Sequence, residues 1–330
     1  MRRLAPALTV LALVGCDGDS GDSGPDRPSA LPAQTVPRTD VPNVRLAGFP
    51  AGPEIGLSDN RPETLLDPRF RATGIRRVRK LVPYDDLERG GSAAAELDAW
   101  FANARRAGVE PLVSFYRSSR GKDLLPSVAE FRRHFRRFRR RYPWVRLFST
   151  WNEANFPAAQ PTGRHPGRTA RFYRALRREC AGDRCAVLAA DFRADGSAES
   201  AAWLRAFKRG IGPGPHIWGL VSYPDVNRLE DSRTREFLRA TDGPVWVVEV
   251  GAIHFFGRGL RPSIPRQTRV MRYLVSIYPR VSRRLKRMYV YHWRAAAGDT
   301  LFDSGLLSAD GSPRPAYEIF TSAIRKSGRG

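Results

Sequence analysis

The sequence predicts an α/β protein folded as a single (β/α)8 barrel, and three observations carry that prediction. From residue 44 onward, apolar β-rich runs alternate with amphipathic helical stretches. That is the pattern of parallel strands joined by crossover helices rather than hairpins. Eight such units fill about 285 residues, the size of a closed barrel. An open doubly wound sheet usually carries a dinucleotide fingerprint after its first strand, and no G-x-G-x-x-G follows the first run here.

The elements follow in order. VRLAGF (44–49) is the first strand, and GIRRVRKLV, opened by Gly74, is the second. ELDAWFANARRAG is a helix that Gly108 can terminate, and VEPLVSFY (109–116) is the third strand. The next helix contains FRRHFRRFRR (131–140), with Phe131, Phe135 and Phe138 on one stripe that Val128 and Tyr142 continue. Such spacing turns phenylalanine inward and arginine outward. VRLFSTWNE (145–153) is the fourth strand, and a helix spans 166–180. CAVLAADF (185–192) is the fifth, with a helix at 199–209. HIWGLVSY (216–223) is the sixth, with a helix at 231–240. PVWVVEVG (244–251) is the seventh, with a helix at 264–278. RMYVYHW (287–293) is the eighth, and a last helix runs over 315–326.

The N-terminal residues stand apart from this pattern. Arg2 and Arg3 precede an apolar run from Leu4 to Val14, too short to span a bilayer but suited to an export signal. The run ends in Leu13-Val14-Gly15-Cys16, which resembles the lipobox of bacterial lipoproteins. That resemblance implies cleavage before Cys16, acylation of its thiol and a place on the outer face of the cell membrane. A plain secretory signal with an incidental cysteine is the alternative. Residues 17–40 are dominated by Gly, Ser, Asp and Pro, a composition that cannot bury a core and serves as a tether. The chain therefore divides into a signal (1–15), a tether (16–40) and a barrel domain (41–330).

Export places the two remaining cysteines, Cys180 and Cys185 of CAGDRC, in an oxidising setting where so close a pair can close a disulfide. Two reduced, buried thiols are the other reading, and a metal site lacks nearby histidines. The net charge of +23 raises the question of nucleic acid. Only five of the 56 basic residues are lysine, and the arginines are scattered along the whole chain. A solvated basic face fits better, and it would still favour anionic polymers.

Chemistry in such a barrel gathers at the C-terminal ends of the strands. There the sequence places Arg79, Trp151-Asn152-Glu153, Ser222-Tyr223, Glu249 and His292-Trp293. Glu153 and Glu249, ending strands four and seven, face one mouth, with Trp151 walling it. WNEAN, VWVVEVG, YHW and the tail SGLLSADGSPRPAYE resemble the clan A glycoside hydrolases, families 5 and 39 in particular. The resemblance implies that Glu153 is the general acid/base and Glu249 the nucleophile. It gives Asn152 the sugar 2-hydroxyl, Arg79 and Tyr223 the task of holding Glu249 ionised and aligned, and Trp293 the stacking platform. His292 is read as a further substrate-side group. Two positions depart from the family: Ala154 stands where proline is usual, and Val221 where a histidine is frequent.

Retaining hydrolysis needs one ionised and one protonated carboxyl, about 5–5.5 Å apart. A poorly solvated Glu153 beside a negative neighbour would have its pKa raised. Trp144, Phe156, Phe255 and Phe256 are open between subsite walls and barrel packing. The expected protein is a monomeric retaining glycosidase acting on β-linked poly- or oligosaccharide, with no cofactor and no metal. The competing readings are a non-catalytic carbohydrate-binding surface lipoprotein and a basic polymer-binding lipoprotein with structural glutamates.

Overall fold

The computed structural model describes residues 52–182, 185–298 and 301–327. The signal, Cys16, the tether and the strand expected at 44–49 lie outside them. The chain forms β1 (Glu54–Ser58), β2 (Arg77–Pro83), β3 (Glu110–Tyr116), β4 (Leu147–Ser149), β5 (Ala186–Leu188) and β6 (Asp191–Arg193). It continues through β7 (Trp218–Val221), β8 (Val245–Val250), β9 (Phe255–Phe256), β10 (Leu285–Tyr291) and β11 (Phe302–Asp303). The helices are α1 (Pro68–Ala72), α2 (Asp86–Arg89), α3 (Gly91–Ala107), α4 (Val128–Arg141) and α5 (Pro166–Cys180). They continue with α6 (Ala198–Ile211), α7 (Tyr223–Arg228), α8 (Ser232–Ala240), α9 (Ile264–Ser276) and α10 (Pro315–Ser327).

Parallel strands run in the order β5-β4-β3-β2-β1-β10-β8-β7-β6. Because β5 and β6 are two pieces of one strand, the sheet curls into the predicted barrel. Closure is made by backbone bonds: Ala189 donates to the Ile217 carbonyl at 2.8 Å, and Gly219 donates to the Ala190 carbonyl at 3.0 Å. β9 and β11 pair antiparallel as a separate ribbon.

Two elements differ from the sequence reading. The first barrel strand is EIGLS at 54–58, not an element assigned from its apolar content. Its central Gly56 faces the packed interior, where an added Cβ would stand 2.6 Å from the Tyr289 ring and 2.8 Å from the Arg77 carbonyl oxygen. The fit that demands glycine thus dilutes the strand signal. The fifth strand, read as continuous, is interrupted at Ala189 and Ala190.

Elsewhere local rules govern. α3 ends at Gly108 in the left-handed region (φ 64°), its N–H capping the Arg105 carbonyl. α4 opens with a reciprocal capping box between Ser127 and Glu130. It buries Phe131, Phe135 and Phe138 against Phe115 and leaves Arg132, Arg133, Arg136 and Arg137 exposed. The main core fills the layer between strands and helices. A second cluster, including Leu112, Leu147, Leu188, Trp246 and Tyr289, fills the barrel interior. Above it sits a polar layer, and this is where the site begins.

Candidate active site

Arg79 lies at the centre of that layer. Its position on β2 turns it into the barrel, where it is completely buried. A guanidinium has five N–H donors, and all five are engaged. Nε donates to Ser114 Oγ (3.0 Å), Nη1 to Ser58 Oγ (3.2 Å) and Glu249 Oε2 (2.7 Å), and Nη2 to Asn152 Oδ1 (2.6 Å) and Asp191 Oδ2 (2.8 Å). Asp191, also fully buried, is held on its other oxygen by Ser149 Oγ at 2.5 Å. It is a carboxylate the sequence reading missed. The signal was present in DFR at the end of the fifth strand, but a strand read as continuous gave no reason to aim it inward.

Glu249 reaches this layer through a β-bulge. Strict alternation from Trp246 and Val248, both interior, would turn residue 249 outward. β8 instead carries one extra residue against both neighbours. Leu220 and Val221 of β7 pair with Val247 and Glu249, while Met288 and Val290 of β10 pair with Val247 and Val250. The bulge re-aims the carboxylate into the mouth. There Oε2 meets Arg79, and Oε1 accepts a hydrogen bond from Tyr223 Oη at 3.1 Å. The Glu249 side chain remains 15 % exposed. Burial, then the charge of Glu249, pushes the Tyr223 hydroxyl well above its ordinary pKa, so it stays a donor.

Glu153 is placed differently. The chain turns after β4, the Asn152 N–H donates to the Phe115 carbonyl at 2.7 Å, and Glu153 adopts φ 43°. A left-handed conformation is strained for a residue with a Cβ. Its side chain is buried, and desolvation drives its pKa up to about 8. Arg193 and Arg79 oppose that rise, whereas Glu249 and Asp191 add to it.

Trp151 does not wall the mouth. It is fully buried, donates to Gln160 Oε1 at 3.0 Å and packs on Phe131 and Phe172, between barrel and helices. Trp293 is no platform either. It is 1 % exposed, donates to Asp67 Oδ2 at 2.8 Å and packs edge-on to Phe70 and Tyr317. An aromatic at the mouth besides Tyr223 is Tyr291, the half-buried last residue of β10, in register with Ser58 and near Phe302. Phe302 in turn packs edge-on to Tyr223. His292 is buried among Asp59, Arg61, Asp303 and Arg314, and burial lowers its pKa to about 4. It is a neutral imidazole at pH 7 with Nδ1 unpartnered among the described residues.

Among the other aromatics, Trp144 packs against Phe101 and Arg105, while Phe255 and Phe256 form the ribbon with β11. Cys180 and Cys185 form a disulfide. Among the described residues, no group of three or more His, Cys, Asp or Glu side chains is arranged to hold a metal ion.

No protein-family model and no curated protein matches the chain. Solved structures do share its fold. A glucosidase from Croceicoccus marinus superposes with a TM-score of 0.61 at 14 % identity, over 84 % of this chain and 69 % of that one. A monomeric β-xylosidase from Caulobacter crescentus CB15 gives 0.58 at 15 %, over 83 % and 68 %. A GH5_18 protein from Streptomyces cattleya, solved with GlcNAc, gives 0.58 at 16 %, over 83 % and 80 %. At these identities the likeness is one of barrel architecture; residue roles do not transfer with it.

Proposed function

We propose that the protein is a retaining glycoside hydrolase acting on β-linked poly- or oligosaccharide, with Glu249 as nucleophile and Glu153 as general acid/base. One observation carries this reading: two carboxyl groups share a mouth in opposite surroundings. Glu249 is accessible, counter-charged by Arg79 and aligned by Tyr223. Glu153 is desolvated and, with a pKa near 8, carries its proton at neutral pH. Environments that push a carboxyl pair apart assign the acid and the base.

In the first step Glu249 attacks the anomeric carbon while Glu153 gives its proton to the leaving oxygen. In the second, Glu153 takes a proton from water, which displaces Glu249 from the glycosyl-enzyme. Asn152 has its carbonyl oxygen engaged by Arg79, which directs its N–H groups toward the sugar 2-hydroxyl. Tyr291 takes the place at the sugar that the sequence resemblance gave to Trp293. The protein would work outside the membrane, tethered through Cys16, a compartment that suits the Cys180–Cys185 disulfide.

The test is a panel of aryl β-glycosides and plant or microbial glycans, given to the parent, Glu249→Ala and Glu153→Gln. Hydrolysis by the parent with retained anomeric configuration is expected. Each variant should lose about 10²–10⁴-fold or more in kcat. The parent's basic limb should fall near pH 8, where Glu153 loses its proton. Binding without turnover by the parent would favour the non-catalytic alternative.

A further inference from the structure

We propose that the mouth selects a glycan carrying an anionic substituent, a carboxylate or a sulfate ester, which seats on Arg193 beside Glu153. This rests on the glycosidase reading and names its substrate class.

Most arginines near the C-terminal rim are already occupied. Arg79 has every donor filled, Arg61 is held by Asp59 and by the Arg294 carbonyl, Arg120 by Asp85 and Arg314 by Asp303. Arg193 is different. Arg193 lies two residues beyond Asp191 on β6, on the same inward face. Its side chain is only 10 % exposed, and its closest carboxylate, Asp195, stands at 3.8 Å, beyond hydrogen-bond reach. Nε has no partner among the described residues, and the guanidinium lies 4.2 Å over the Phe156 ring. The nearby Glu153 offers no lasting neutralisation, since burial keeps it protonated at pH 7.

In the barrel β4 neighbours the split strand of β5 and β6, and the Ala154 N–H donates to the Asp191 carbonyl at 2.9 Å. Arg193 therefore stands beside the Glu153 turn, within its electrostatic field. Buried cations with open donors are costly unless something pairs with them. A planar fork with free N–H groups matches a carboxylate or sulfate in bidentate fashion. The overall charge of +23 would draw such polymers toward the surface, but only a local cation discriminates at the cleavage point.

The experiment pairs uronate-containing oligosaccharides with their carboxyl-reduced counterparts of identical linkage, and sulfated ones with their desulfated forms. The parent, Arg193→Gln and Arg193→Lys are compared, with thermal melting to verify folding. Arg106→Gln, an exposed site near the opposite end of the barrel, controls for net charge. The parent is expected to prefer the anionic member of a pair by about a hundredfold in kcat/KM. Arg193→Gln should bring the anionic-to-neutral ratio of kcat/KM close to one, and Arg106→Gln should leave that ratio intact. The pair that responds identifies carboxylate or sulfate.

Equal rates on both members, or an equal loss on both in Arg193→Gln, overturn the proposal and leave the glycosidase reading standing. If the parent cleaves neither these nor activated aryl glycosides, the glycosidase reading fails first. Calorimetric binding of the same pairs then decides anion selection without turnover, equal affinity overturning it.

Discussion

Glu153 combines a left-handed backbone with a carboxyl that burial holds protonated, and that combination has a cost in stability. An ordinary glutamate titrates near 4.5, whereas this one does so near 8 in the folded chain. The folded state therefore binds the extra proton, and stability is lost as pH rises from about 4.5 to about 8. Glu153→Gln removes the titration while keeping the shape. The variant should melt at a higher temperature than the parent at pH 8, with the gap closing toward pH 4.5; a scan of melting temperature against pH measures it. Gain of stability with loss of turnover marks a site tuned for chemistry. At this scale the sequence was legible for types and less so for surroundings. Trp-Asn-Glu drew attention to the fourth strand, yet nothing in the motif reveals that Trp151 turns to the helices, or that Trp293 bonds to Asp67 beneath α1. Burial decided both, and burial belongs to the tertiary fold.

Among elements, β1 is the most constrained by its neighbours. Gly56→Ala should cost about 1–3 kcal/mol by overpacking against Tyr289, read as a lower urea midpoint with unchanged slope. The same constraint explains why β1 escaped the sequence reading, which weighs apolar content and finds a glycine flanked by one isoleucine and one leucine. α3, α4 and α9 were readable from the period of their apolar residues, with Gly108 ending α3, a Ser127 cap opening α4 and a Ser263 cap opening α9. The β8 bulge was not readable. Whether Glu249 faces inward depends on a register shift against β7 and β10, a property of three strands that one strand's alternation cannot carry.

For the whole molecule, the alternation of runs was enough to give the barrel, because crossover connections leave few other arrangements for eight such units. The anchoring prediction belongs to this scale too. Cells given a labelled fatty acid should incorporate it into the parent, and Cys16→Ala should release unlabelled protein to the medium; label retained by the variant would refute the tether.

The five donors of Arg79 end on Ser58, Ser114, Asn152, Asp191 and Glu249. Spokes from one hub thus reach staves all round the cask. No stave can drift without slackening a spoke, and one spoke is the proposed nucleophile itself. On heating, turnover and far-ultraviolet ellipticity should therefore vanish together, in a single transition, rather than catalysis fading first.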